Sequence, residues 1–141
     1  MLEDAYALST LERTTINELR LEARRRQGMQ SYKAARDLEL QGNKQEALAA
    51  FEQIKQAWPD GLDDEATRID ALRVDIQAAE AAYAAGDAAE QKGDLAAALD
   101  QFKTARTYYA KLRDVAQRIE QIEKKMAAPP STEGNGTGSG S

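Results

Sequence analysis

Two stretches of this chain, GNKQEALAAFEQIK (residues 42–55) and GDLAAALDQFKTAR (residues 93–106), follow one pattern at a separation of 51 residues. The same shift pairs Tyr32 with Tyr83, Ala34 with Ala85, Gly42 with Gly93, Ala47 with Ala98, Leu48 with Leu99 and Phe51 with Phe102. Self-similarity at a fixed period signals a repeat architecture. Each member of the pattern has a packing reason. The Gly permits a tight reversal between antiparallel helices, the Ala lets two backbones approach closely, and the Phe one turn later fills the space between them. A helical hairpin of this kind cannot bury its apolar face alone, so the repeat predicts hairpins packed on one another.

Between these landmarks the chain reads as helix. It contains 27 Ala and only 3 Pro, and strong helix formers fill most of the rest. A first helix is expected over Leu2–Gln41, with a capping box at Ser9-Thr10-Leu11-Glu12 marking a firm start. Gly42 ends it, and Asn43 caps a second helix running to about Ala57. Trp58-Pro59-Asp60-Gly61 breaks the chain. Asp63, Asp64 and Glu65 then load acids onto the first turn of a third helix, where the dipole favours them. That helix runs to Lys92. Gly93 and Asp94 start a fourth, which nothing interrupts before Pro129-Pro130. Leu112, Val115, Ile119, Ile122 and Met126 step by three and four along it, a coiled-coil-like seam. No segment alternates with a period of two. The expectation is an all-α domain over residues 1–128, four helices in two long antiparallel hairpins. A flexible Gly/Ser-rich tail or linker follows over 129–141.

Residues 31–64 place Ala34, Ala35, Leu38, Gly42, Ala47, Phe51, Ile54 and Pro59 at the spacings of a known repeat, and residues 82–115 do so with Ala85, Gly86, Ala89, Gly93, Ala98, Phe102 and Ala105. In these positions the chain resembles the tetratricopeptide repeats. The resemblance covers about half of the chain and implies a surface on which a partner segment docks. Two features depart from the family: the period exceeds the usual 34 residues, and only two units are present. The additional residues keep helical periodicity, so the first helix of each hairpin should be over-long. The closing Pro is missing from the second unit, where Ala110 stands, so the fourth helix is expected to continue through it.

Chemistry is narrowly bounded. With no Cys and no His, thiol nucleophiles, imidazole bases, disulfides and the two commonest zinc ligands are excluded. The acids Asp60, Asp63, Asp64 and Glu65 lack calcium-loop spacing and read as helix capping. No phosphate-binding Gly-rich loop and no nucleophile elbow occurs. No enzyme, cofactor or metal is expected. No apolar run approaches a membrane span, and the N-terminus lacks a basic head before an apolar block, so the cytoplasm is the expected compartment, for a whole protein or a fragment of a longer one.

The net charge of −5 is unevenly spread: residues 13–36 carry +5, residues 58–100 carry −8 and residues 101–128 carry +4. Such blocks mark complementary surfaces within a fold or between subunits. Arg24-Arg25-Arg26 could meet phosphates, but its cations spread around the helix without interleaved aromatics, which argues against nucleic acid and against a membrane surface.

The first helix has two apolar sides. Ala5, Ile16, Leu19, Ala23, Ala34 and Leu38 collect on one, and Leu11, Leu21, Met29, Tyr32 and Leu40 fall roughly opposite. In a protein of two hairpins such a helix can hardly be surrounded, so either one side is free for another molecule or curvature of the helix turns the second stripe inward. Leu21, Met29 and Tyr32, rimmed by Arg24 and Arg25, are the candidate partner-binding residues. The expected function is a non-enzymatic protein–protein interaction module or adaptor. The alternative is a structural homo-oligomer built by self-association of the long helices.

Overall fold

The structure, a computed structural model, describes residues 2–128, and the side chains of residues 10–128. Five α-helices follow one another: α1 (Leu2–Leu40), α2 (Lys44–Ala57), α3 (Glu65–Gln91), α4 (Leu95–Tyr108) and α5 (Val115–Ala127). No strand occurs among the described residues. The expected tail, residues 129–141, lies outside them. The chain forms two compact units, Met1–Asp70 and Ala71–Ser141, divided within α3.

Both repeat turns close in the same way. The N–H of Gly42 donates to the carbonyl of Glu39 at 3.0 Å and that of Asn43 to Leu38 at 2.9 Å; Gly93 and Asp94 repeat this with Glu90 and Ala89 at 2.9 and 3.0 Å. This double bond needs a left-handed residue just past the helix, and Gly42 and Gly93 sit at φ 83° and 82°. Asp94 then caps α4 through its side chain, accepting from the Ala97 N–H at 3.1 Å. Asn43 holds the same position without a side-chain bond to α2.

The repeated apolar residues lie where close packing demands them. Ala47, Phe51, Ala98 and Phe102 are all fully buried. In the first unit Tyr32 meets Phe51 edge-on at 5.6 Å, and in the second Tyr83 meets Phe102 at 5.3 Å. Around Phe102 gather Ala82, Ala98, Ala105, Val115, Ile119 and Ile122.

The architecture corrects the four-helix expectation. The fourth helix does not continue to Pro129. It ends at Tyr108, and the chain turns over residues 109–114 before α5 begins. No Pro or Gly marks this break. Tyr109 adopts an extended backbone, and Arg113 takes φ 42°, the one positive-φ non-glycine among the described residues. The turn is worth making because it buries Tyr109 and Leu112 and returns Val115, Ile119 and Ile122 onto the unit's core. It repeats the first unit's loop one residue shorter. Leu62, Asp64, Arg68 and Ile69 correspond to Leu112, Asp114, Arg118 and Ile119, now at a separation of 50. The first loop has its left-handed residue at Gly61, φ 97°, and the second at Arg113, two places further along this correspondence.

A second difference concerns the start of α1. Ser9 and Thr10 lie inside the helix, which already runs from Leu2. The Thr14 and Thr15 hydroxyls each donate back to the carbonyl four residues earlier at 3.0 Å, a local bond that leaves the helix intact.

Candidate interaction surface

Each unit is latched by the same polar cluster, which settles how much of α1 is committed to the fold. In the first unit the Tyr32 hydroxyl donates to Asp64 Oδ1. Arg68 Nε donates to the Tyr32 hydroxyl at 3.0 Å and to Asp64 at 2.9 Å, and Arg68 Nη1 reaches Glu39 at 3.1 Å. In the second unit Tyr83 donates to Asp114, and Arg118 donates to the Tyr83 hydroxyl at 3.0 Å and to Asp87 at 2.7 Å, with Glu90 alongside. Lys125 adds a further bond to Glu90 at 3.1 Å. The latch joins the first helix of each unit to the third, past the loop.

The electrostatics follow from this wiring. Burial raises the Tyr32 phenol, and its bond to Asp64 adds to the rise. At Tyr83 the bond to Asp114 leads and burial follows. Burial opposes ionisation of Asp64, but the hydrogen bonds from Tyr32 and Arg68 outweigh it and hold its carboxyl below the usual range. The Arg118 hydrogen bond does the same for Glu90 against a smaller burial effect. Glu65, fully buried at the start of α3, is likewise low: burial opposes ionisation, and the N–H groups of Leu62 and Asp63 overcome it. Its carboxylate accepts both N–H groups and so closes the loop ahead of α3. The acidic run 63–65 is therefore a capping and latching device. Among the described residues no three such side chains converge as a metal would require.

The residues singled out from the sequence have different fates. Tyr32 is half-buried, its ring on Phe51 and its hydroxyl in the latch. Arg24 lies over the Trp58 ring at 4.7 Å and donates to the Ala57 carbonyl at 2.7 Å. Both serve the packing of the first unit. Leu21 (57% exposed) and Met29 (39%) face solvent. Met29 and Arg25 share a shallow depression on α1 with Glu22, Arg26, Gln30 and Lys33.

The larger surface lies further toward the N-terminus. Every described side chain from Thr10 to Gln27 is exposed, including Leu11 at 63%, Ile16 at 47% and Leu19 at 59%. Beyond the contacts of Arg24 with Ala57 and Trp58, the first buried residue of α1 is Gly28, where Trp58 and Leu62 press on it. A Cβ there would stand 2.8 Å from Trp58 Nε1. The periodicity of α1 identified Ile16 and Leu19 as an apolar side. What it could not indicate is that the hairpin begins only at Gly28, because α2 is far shorter than α1.

Among the described residues no helix is long and apolar enough to cross a membrane. Comparison of the chain with protein-family models, with curated proteins and with solved structures finds no match.

Proposed function

We propose that this protein is a non-enzymatic interaction module that docks another protein chain along the exposed length of α1. The observation that carries the reading is the run from Thr10 to Gln27, helical throughout and exposed at every described side chain, yet bearing Leu11, Ile16, Leu19 and Leu21. Most helical stability in proteins comes from packing an apolar face, and a helix without such packing is marginal in water. Two apolar sides, Ile16 with Leu19 and, roughly opposite, Leu11 and Leu21 beside Arg25 and Met29, suit helix-against-helix contacts, in which anchors recur every three or four residues. The first unit's hairpin holds the C-terminal part of this helix, and the chain's resemblance to the tetratricopeptide repeats, a family of docking scaffolds, supports the same reading.

The test is retention of partners by the purified protein. Ile16→Glu combined with Leu19→Glu should leave the helical circular dichroism and the melting transition unchanged, because neither side chain is buried. The same pair should abolish the associations that the unaltered protein makes, whether with other proteins or with its own copies. If the variant retains all of them, α1 is not the docking surface.

A further inference from the structure

We infer that the solvent side of α1 from Arg26 to Leu40 docks an acidic amphipathic helix of another protein. This goes beyond the docking reading above, whose anchors lie further toward the N-terminus. The two repeat units supply the comparison that singles the strip out. At the separation of 51, Arg26, Met29, Lys33 and Leu40 of α1 correspond to Gln77, Glu80, Ala84 and Gln91 of α3, and all eight side chains are exposed. Around them the units are built alike, with the same Gly turn, the same Tyr–Phe pair and the same Arg–Tyr bond. The hairpin therefore folds with either set and requires neither. The α3 set, an acid, two amides and a methyl, is an ordinary solvated face. The α1 set replaces it with two cations and two large apolar side chains.

These four residues form one strip. At 3.6 residues per turn they fall within about 60° of one another, along ~21 Å of helix. They lie on the side of α1 turned away from Gly28 and Ala35, both buried. Met29 and Leu40 stand about three turns apart and nearly in line, and Leu40 is 73% exposed. A partner helix lying along the strip reaches both with one apolar face.

Charge selects the occupant. Met29 shares its depression with Arg25, Arg26 and Lys33. Arg25 and Lys33 form no ion pair among the described residues. Arg26 pairs with Glu22 at 2.7 Å, with both side chains largely in water, and such a pair is worth little and readily exchanged. Carboxylates on a partner complement these three cations, and aliphatic side chains beside them cover Met29 and Leu40. A nucleic-acid backbone would leave both apolar residues uncovered, and the strip has no aromatic side chain on which bases could stack. A membrane surface calls for a broader apolar face, with Trp, Phe or Leu in number, than two aliphatic side chains provide.

The probe is a synthetic peptide stapled as a helix of ~21 Å, with two Leu about three turns apart and Glu on the turns between, compared with the same peptide bearing Gln for Glu. Fluorescence anisotropy with the full-length protein should show the Glu peptide binding, more weakly as salt rises, and the Gln peptide binding about tenfold less tightly or worse. Giving α1 the residues of α3, through Arg26→Gln, Met29→Glu, Lys33→Ala and Leu40→Gln, should keep the helical dichroism and Tm and abolish binding of the Glu peptide. Arg26→Gln with Lys33→Ala alone should weaken it about tenfold. Ile16→Glu with Leu19→Glu should bind the peptide as the unaltered protein does, which keeps this inference separable from the docking reading above. Equal binding of the two peptides, no binding of either, or binding that survives the four changes would overturn the inference. A Tm lowered by the four changes would overturn it too, by showing that the strip belongs to the fold. So would binding of phosphatidylserine vesicles or of a DNA duplex in place of the Glu peptide.

Discussion

Gly86 offers a quantitative test of the repeat packing. It sits in the middle of α3, and a Cβ added there would lie 3.0 Å from three carbons of the Phe102 ring at once. Two effects of Gly86→Ala oppose each other. Replacing a mid-helix Gly with Ala gains about 0.5–1 kcal/mol, mainly by restricting the unfolded chain. Forcing a methyl into a filled core costs about 1–3 kcal/mol. Which wins depends on whether the ring can yield. Phe102 is fully buried, held edge-on by Tyr83 at 5.3 Å and covered by the Arg118 guanidinium at 4.7 Å. Moving it would disturb the latch through both neighbours, so the steric cost should prevail by about 0.5–2 kcal/mol. For a domain of this size that lowers Tm by roughly 2–8 °C. Thermal unfolding followed by circular dichroism measures it. An unchanged or higher Tm would refute the close approach of α3 to Phe102, and with it the reason the repeat places a small residue there.

Met29→Glu should leave the fold intact, because its side chain is exposed, whereas Tyr32→Glu should unfold the first unit by placing a charge against Phe51 and beside Asp64. Comparing Tm for the two single variants separates surface from core on one helix, and equal effects would contradict the assignment. Stability should also fall at both ends of the pH range. Asp64, Glu65 and Glu90 have lowered carboxyls, so their contribution is present above the ordinary value of about 4 and is lost as pH drops through their lower folded values. Tyr32 and Tyr83 are raised, so theirs is present below about 10 and is lost as pH rises through their higher folded values. A Tm constant from about pH 2 to 5 would show that these hydrogen bonds contribute nothing to folding.

The sequence alone determined the helical class, the two Gly-closed turns and the small-then-Phe packing pattern. These rest on local chemistry: helix propensity, left-handed glycines, and an Ala–Phe pattern repeated at constant spacing. It did not reveal the break after Tyr108, because none of Tyr109, Ala110, Lys111, Leu112 and Arg113 is a helix breaker. That turn exists because burying Leu112 and Val115 and joining Asp114 to Tyr83 outweighs a left-handed Arg113, a balance struck by residues some thirty positions apart. The latch escaped for a related reason. Its aromatic half repeats at 51 and its Asp–Arg half at 50, so a single shift shows only one half, and folding brings the two together. The role of Tyr32 was decided in the same way. Helical periodicity set it beside Met29 on one face, but periodicity cannot say where along a 39-residue helix the much shorter α2 begins to cover that face. Burial starts at Gly28, which leaves Tyr32 half-buried against Phe51 while Leu11, Ile16 and Leu19 remain exposed.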